Sequence, residues 1–139
     1  MRNKYLEVSR LLRNFFIQVD DKELKEYIGR TAISRAYEAV FLELFFYFTE
    51  DLGVSYAKMK RKAKEYYKEK NVKVPLNKHT TIGAYLTVKY GVAFGKMYEK
   101  LRKTRNDVDY YINLDYVIDE KLVDENIKSA DIILNSVMR

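Results

Sequence analysis

The segment between residues 101 and 111 is rich in side chains that could act on a phosphate ester. They are Arg102, Arg105, Asn106, Asp109 and Tyr110. An arginine is permanently charged and can hold a phosphate with two hydrogen bonds. A tyrosine, with an ordinary pKa of about 10, can donate a proton but is a poor base at neutral pH. We therefore predict Arg105 and Tyr110 as catalytic residues of a slow reaction, and Asn106, Asp109 and Arg102 as binding residues. Alternatively, these residues have only a structural role: Arg105 forms an ion pair with Asp109 one turn later, and the tyrosines pack against the bundle.

His79 is the only histidine of the chain, and cysteine is absent. This composition excludes disulfides and thiolate sites and disfavours a metal site, so we expect no metal and no cofactor. The predicted position of His79, in a loop before a helix, favours a capping or solvated role. It could supply a base only if that loop folded back onto the helix that carries Arg105. Glu38 and Glu43 lie about 140° apart on a helix, so we expect them to form structural ion pairs with Arg35 or other bases.

A second candidate surface is the basic run from Lys58 to Lys78. It carries nine basic residues against two glutamates, a local charge of +7, whereas residues 106–139 carry −5. This polarity could steer a polyanion toward one side of the molecule. The residues predicted to contact RNA there are Lys60, Arg61, Lys64 and Lys68, with Tyr56, Tyr66 and Tyr67 as stacking surfaces. Alternatively, the run is a solvated, lysine-rich helix.

We expect helices to position these candidate catalytic and binding side chains, because the amino-acid composition is typical of an all-α protein. The chain has 139 residues, 47% of them hydrophobic and 33% charged, with one proline and five glycines. We expect one globular domain over residues 1–139. No apolar run is long enough to span a bilayer, and Arg2 and Lys4 precede an amphipathic pattern rather than a signal peptide. We therefore expect a cytoplasmic protein, and its abundant Lys, Glu and Tyr indicate a thermophilic source.

The spacing of apolar residues predicts an up-and-down bundle of four to five helices. The predicted helices cover residues 3–19, 22–52, 55–70, 80–109 and 120–137, and residues 110–116 are expected to leave the fourth helix. Asp21, Ser55 and Asp119 are expected to cap their N-termini. Gly91 and Gly95 interrupt the fourth helix, so that either the helix kinks or breaks near Gly91 or a neighbour packs closely on its glycine face.

The second predicted helix is apolar on two opposite sides. One stripe runs from Ile33 to Phe48, and the other contains Ala39, Leu42 and Phe46. One bundle normally buries a single face of a helix. We therefore predict that Ala39, Leu42 and Phe46 lie at or near the interface of a symmetric homodimer. Alternatively, the first and last helices of the same chain cover both stripes.

Three segments resemble motifs of the HEPN-domain family, in its branch of small standalone proteins often encoded beside minimal nucleotidyltransferases. SRAYEAVF at residues 34–41 is similar to the family's S-R-A-Y-Y-A-x-F segment, with Glu38 in place of a tyrosine. HTTIG at residues 79–83 resembles its histidine-bearing loop. RNDVDY at residues 105–110 resembles its R-x-x-A-D-Y motif. The three segments follow one another in the family's order.

The resemblance implies a four- or five-helix bundle that forms a homodimer. Family members with an R-x-x-x-x-H motif are metal-independent endoribonucleases, in which the motifs of two subunits face one cleft. Arg105 matches the arginine and Asn106 the polar residue after it, whereas Tyr110 stands in the histidine position. The resemblance thus implies RNA or nucleotide binding with weak ribonuclease activity, in a toxin–antitoxin or RNA-processing system. A second possible function is that of a non-enzymatic dimeric module that binds a nucleotidyltransferase. A third possibility is a structural bundle that binds no ligand.

Overall fold

Six α-helices make up the part of the chain that this computed structural model describes, residues 3–138. They are α1 (Tyr5–Phe16), α2 (Lys22–Phe46), α3 (Tyr56–Glu69), α4 (Lys78–Tyr90), α5 (Val92–Tyr110) and α6 (Glu120–Val137), and a π-helical turn (Tyr47–Asp51) extends α2. No strand occurs in this range, so the prediction of an all-α bundle is confirmed. Within the same range no helix is long and apolar enough to cross a membrane. The predicted domain limits, residues 1 and 139, lie outside it.

Side-chain caps begin the helices as the sequence predicted at three places. The side chain of Asp21 accepts a hydrogen bond from Leu24 N at 2.9 Å. Ser55 does the same for α3, and Asp119 for α6. These side-chain oxygens satisfy amides that have no partner inside the helix. All three predicted caps are therefore confirmed.

The start of α4 differs from the prediction by two residues. Asn77 Oδ1 accepts a hydrogen bond from Thr80 N, and Thr80 Oγ1 accepts one from Asn77 N, both at 3.0 Å. This reciprocal pair is a capping box, which starts the helix at Lys78. His79 consequently lies in the first turn of α4, and the prediction that it lies in the preceding loop is wrong.

Glycines separate α4 from α5 and also let them approach each other. Gly91 ends α4 with a φ of +111°, a backbone conformation that residues with a side chain rarely adopt. A Cβ atom on Gly95 would lie 1.9 Å from Thr87 Oγ1, and one on Gly83 would lie 2.5 Å from Glu99 Oε1. Both predicted alternatives, a break and a close packing contact, therefore occur. The break is the reason that the bundle has six helices rather than four or five.

Helix α2 runs through the centre of the bundle and packs against α1, α4, α5 and α6. Ala39 is fully buried, in a hydrophobic cluster that includes Leu6 of α1 and Val137 of α6. The alternative that helices of the same chain cover the second stripe is thus correct for Ala39, which is not free to contact a partner. Leu42 and Phe46 are only half-buried, and their place in a dimer interface stays a prediction.

Candidate functional site

His79 of α4 and Arg105 of α5 both approach one side chain of α2. Tyr37 of α2 links them, because its hydroxyl lies 2.7 Å from His79 Nδ1. On the other side, Cζ of Arg105 lies 4.7 Å from the centre of the Tyr37 ring, a cation–π contact. His79 and Arg105 therefore share Tyr37 as a neighbour, although His79 lies in the first turn of α4 rather than in a loop folded back onto α5. We refer to His79, Arg102 and Arg105 as the histidine–arginine cluster.

A chain of hydrogen bonds decides which nitrogen of His79 carries the proton. The Tyr98 hydroxyl donates to the backbone carbonyl of His79 at 2.9 Å, and a carbonyl can only accept. The 2.9 Å contact between the two tyrosine hydroxyls must then use the proton of Tyr37. Tyr37 has no second proton to give, so its oxygen accepts from His79 Nδ1. The neutral imidazole consequently has its free lone pair on Nε2.

The surroundings of His79 also keep its ring neutral. Its pKa is lowered from the ordinary 6.5, first by partial burial and then by the positive charges of Arg105 and Arg102. The ring stacks on Phe41 with 4.0 Å between ring centres, which fixes its plane. A neutral imidazole with a defined tautomer and a defined plane is suited to accept a proton through Nε2.

Arg105 is a largely buried cation, and one of its donors has no hydrogen-bond partner among residues 3–138. Its side chain is 12% exposed, and its Nη1 lies 3.8 Å from Asp109 Oδ2. The same carboxylate oxygen accepts a hydrogen bond from Ser34 Oγ of α2 at 3.0 Å. Arg105 Nε is buried and has no hydrogen-bond partner within the described residues. A buried donor without a hydrogen-bond partner is costly, and a guanidinium can bind an anion through charge-assisted hydrogen bonds. The alternative that Arg105 pairs with Asp109 is confirmed. Its second part, that the tyrosines pack against the bundle, is wrong, because Tyr110 and Tyr111 are exposed.

Arg102 lies one turn earlier on α5 and is held by Glu99. Its Nε and Nη2 both donate to Glu99 Oε2, at 3.0 and 2.8 Å. The absence of a side chain at Gly83 gives Glu99 the space for this arrangement. The ion pair partly neutralises Arg102, so Arg105 is the stronger anion-binding group of the two.

Tyr110 does not join this cluster. Five residues separate it from Arg105, which places the two side chains about 140° apart around the helix. Tyr110 is the last residue of α5, is 72% exposed, and lines a different groove together with Tyr27, Arg30 and Tyr111. Asn106 is half-buried on α5. The structure thus groups Arg105 with His79, and not with the tyrosine that occupies the motif's histidine position.

The basic residues predicted on α3 form a separate surface. Lys60, Arg61 and Lys64 are all exposed. Lys64 also lines a groove between α3 and the loop before α4. Of the predicted stacking residues, Tyr67 is half-buried, and its hydroxyl donates to the backbone carbonyl of Thr80 at 3.1 Å. Tyr66 packs edge-on against Tyr67, and Tyr56 is tilted against the Phe45 ring.

Sequence reasoning missed the two tyrosines that organise the site. Tyr37 and Tyr98 fall in helical stripes of apolar residues, and both are fully buried in the core. Nothing in their spacing distinguishes a hydrogen-bonded tyrosine from a phenylalanine that only packs. Glu38 pairs with Arg35 as predicted. Glu43 is buried and accepts two hydrogen bonds from Asn3, each of 2.8 Å.

Arg30 is a further missed residue, and its role is to close the end of α5. Its guanidinium donates to the carbonyl oxygens of Val108, Tyr111 and Ile112 at 2.6 to 2.9 Å. These bonds satisfy carbonyls that lack partners at a helix C-terminus. They fix the course of the chain as it leaves the helix that carries the arginines.

Across residues 3–138, no group of three or more histidine or acidic side chains is placed to hold a metal ion. Comparisons with protein-family models, curated proteins and solved structures gave no match to this chain.

Proposed function

We propose that the chain is an HEPN-type RNA-binding protein with slow, metal-independent ribonuclease activity, and that its histidine–arginine cluster is the active site. One observation carries the proposal. A neutral histidine, whose Nδ1 is hydrogen-bonded to Tyr37, and a largely buried arginine contact the same tyrosine side chain. RNA cleavage without a metal requires a base for the 2′-hydroxyl and positive charge on the phosphate. His79 and Arg105 fit these two tasks.

The proposed reaction is an intramolecular transesterification. Nε2 of His79 takes the proton of the 2′-hydroxyl, and the 2′-oxygen then attacks the adjacent phosphorus. The bond from phosphorus to the 5′-oxygen breaks, which leaves a 2′,3′-cyclic phosphate and a 5′-hydroxyl end. Arg105 and Arg102 stabilise the charge that builds up on the phosphate oxygens. The leaving oxygen takes a proton from solvent, because Tyr110 lies on another side of α5, and this step keeps the reaction slow.

A binding assay tests the RNA-binding part of the proposal. A fluorescent single-stranded RNA of about 12 nucleotides is titrated with the wild type, with Arg105→Ala and with Arg10→Ala as the matched control. Arg10 forms a surface ion pair with Asp131 and is far in sequence from the cluster. We expect Arg105→Ala to weaken binding at least about tenfold, since it removes charge-assisted hydrogen bonds worth roughly 1.5–3 kcal/mol. Equal affinities of the two variants would contradict the proposed site.

An exposed aromatic surface favours a second candidate function, a module that binds a nucleotidyltransferase. The groove around Tyr110 also contains Tyr27 and Tyr111, and Ile112 on its rim is 90% exposed. Contiguous exposed apolar groups of this kind are typical of protein interfaces. This candidate predicts a stable complex that Tyr111→Glu with Ile112→Glu abolishes and Arg105→Ala leaves intact. Loss of the complex on Arg105→Ala alone would contradict it.

A further inference from the structure

A groove between α3 and the loop of residues 70–77 is lined by groups suited to a nucleotide. It encloses about 640 Å³, within the roughly 300–1,000 Å³ of typical ligand sites. Lys64, Lys68 and Lys73 supply positive charge at its rim. Tyr67, Val74 and Leu76 supply half-buried apolar surface. We refer to it as the lysine groove.

The loop wall of the lysine groove is fixed in position. Thr80 Oγ1 donates to the Pro75 carbonyl at 2.7 Å, while Thr80 also takes part in the capping box with Asn77. At the other end of the loop, Val72 N donates to the Tyr67 carbonyl at 3.0 Å. Because both ends of the loop are hydrogen-bonded to helices, a ligand need not order this wall when it binds, which lowers the cost of binding.

The lysine groove adjoins the histidine–arginine cluster through Tyr67. The Tyr67 hydroxyl donates to the carbonyl of Thr80, the residue that follows His79. The pKa of Tyr67 is raised to about 12, mainly by burial and also by the negative charge of Glu99. The positive charge of Arg102 acts in the opposite direction. The Tyr67 side chain is therefore within electrostatic reach of the Glu99–Arg102 pair, and it contacts the residue next to His79.

We propose that the lysine groove is a nucleotide subsite, which binds a base and flanking phosphates of the same single-stranded RNA whose reacting phosphate lies at Arg105. This inference rests on the proposed function. The apolar groups contact the face of the base, and the lysines contact phosphates. Neither group reads the hydrogen-bonding edge of a base, so the subsite recognises single-stranded RNA with little preference for sequence.

Oligonucleotides of two lengths separate this subsite from the cluster. The probes are 2′-O-methylated oligouridylates of two and six nucleotides, which cannot be cleaved because they lack a free 2′-hydroxyl. On the proposed arrangement the dinucleotide occupies the cluster alone, and the hexanucleotide extends into the groove as well. Binding is measured by fluorescence anisotropy for the wild type and for a groove variant with Lys64→Gln, Lys68→Gln and Lys73→Gln. The charge-matched control carries Lys22→Gln, Lys89→Gln and Lys96→Gln, all exposed and outside the groove.

We expect the groove variant to bind the hexanucleotide about tenfold more weakly than the control does, and the dinucleotide within twofold of the control. The salt dependence of hexanucleotide binding should also flatten, by about 0.7 in log–log slope for each phosphate that the variant no longer neutralises. A variant with Lys64→Arg, Lys68→Arg and Lys73→Arg should retain wild-type affinity. Circular dichroism of every variant verifies that the helices are intact.

The remaining outcomes distinguish the subsite from the function on which it rests. A groove variant that binds both probes as the control does, while Arg105→Ala weakens both, overturns the subsite alone. Loss of hexanucleotide binding in the groove variant, with no effect of Arg105→Ala, supports the groove and contradicts the proposed active site. Hexaglutamate that competes as well as the hexanucleotide makes the groove a site for acidic peptides and overturns the subsite.

Discussion

Tyr37→Phe removes one oxygen atom from the centre of the site and tests the hydrogen-bond chain directly. The hydroxyl that it removes accepts from His79 Nδ1 and donates to Tyr98. The phenylalanine ring still fills the buried space and still faces Arg105. The substitution therefore changes hydrogen bonding at a site where the packing is retained.

The expected loss of stability is about 1–2 kcal/mol. A buried polar group left without a partner costs roughly 1–3 kcal/mol. Tyr98 keeps its bond to the His79 carbonyl, and His79 can move its proton to Nε2, so the cost should fall in the lower part of that range. For a chain of this size the loss corresponds to a fall in melting temperature of roughly 3–10 °C.

Nitrogen-15 spectra of the imidazole report the tautomer without ambiguity, because His79 is the only histidine. We expect the wild type near pH 8 to show a protonated Nδ1 and a bare Nε2. In Tyr37→Phe the proton should shift toward Nε2, and cleavage should fall more than RNA affinity. A wild-type spectrum with the proton on Nε2 would refute the hydrogen-bond argument and with it the assignment of His79 as the base.

Three further predictions concern stability and assembly. Because the pKa of His79 is lowered in the folded protein, the unfolded chain binds a proton more readily than the folded one does. The free energy of unfolding should therefore fall as the pH decreases below about 6.5, and it should fall less in His79→Asn than in the wild type. Parallel stability profiles of the two proteins would contradict this. Gly95→Ala should cost about 1–3 kcal/mol in urea unfolding because its Cβ would meet Thr87, and Thr87→Ala should relieve most of that loss; a stable Gly95→Ala protein would show that the contact yields easily. Leu42→Glu with Phe46→Glu should convert a homodimer to monomer in sedimentation velocity, and a wild type that is monomeric at micromolar concentration would contradict the dimer.

Local features of the fold can be predicted because their causes are local. A cap at Asp21 or Ser55 depends on a side chain and an amide three residues later, and the break at Gly91 depends on one backbone conformation. The start of α4 is harder to predict, because the reciprocal bonds between Asn77 and Thr80 involve a threonine where the common pattern has an acid or amide. The sequence alone therefore places the neighbouring His79 in a loop.

The site is less predictable because tertiary contacts assemble it. His79 and Arg105 are brought together by their contacts with Tyr37, and Gly83 and Gly95 let α4 pack closely on α5. These contacts join three helices, and the spacing of residues along the chain does not reveal them. The separation of Tyr110 from Arg105, by contrast, can be predicted from the sequence. The rotation that separates Glu38 from Glu43 by about 140° applies equally to any pair five residues apart on one helix, Arg105 and Tyr110 included.

The most direct test of the central claim is the rate at which single-stranded RNA is cleaved in EDTA by the wild type and by His79→Asn. The proposed mechanism predicts slow cleavage by the wild type to 2′,3′-cyclic phosphate ends, with a rate that rises with pH to a plateau at neutral pH, as the lowered pKa of His79 requires. His79→Asn should bind the same RNA with nearly unchanged affinity and cleave it at least about a hundredfold more slowly. Wild-type RNA that stays intact, or cleavage at an equal rate by both proteins, would contradict the assignment of His79 as the catalytic base.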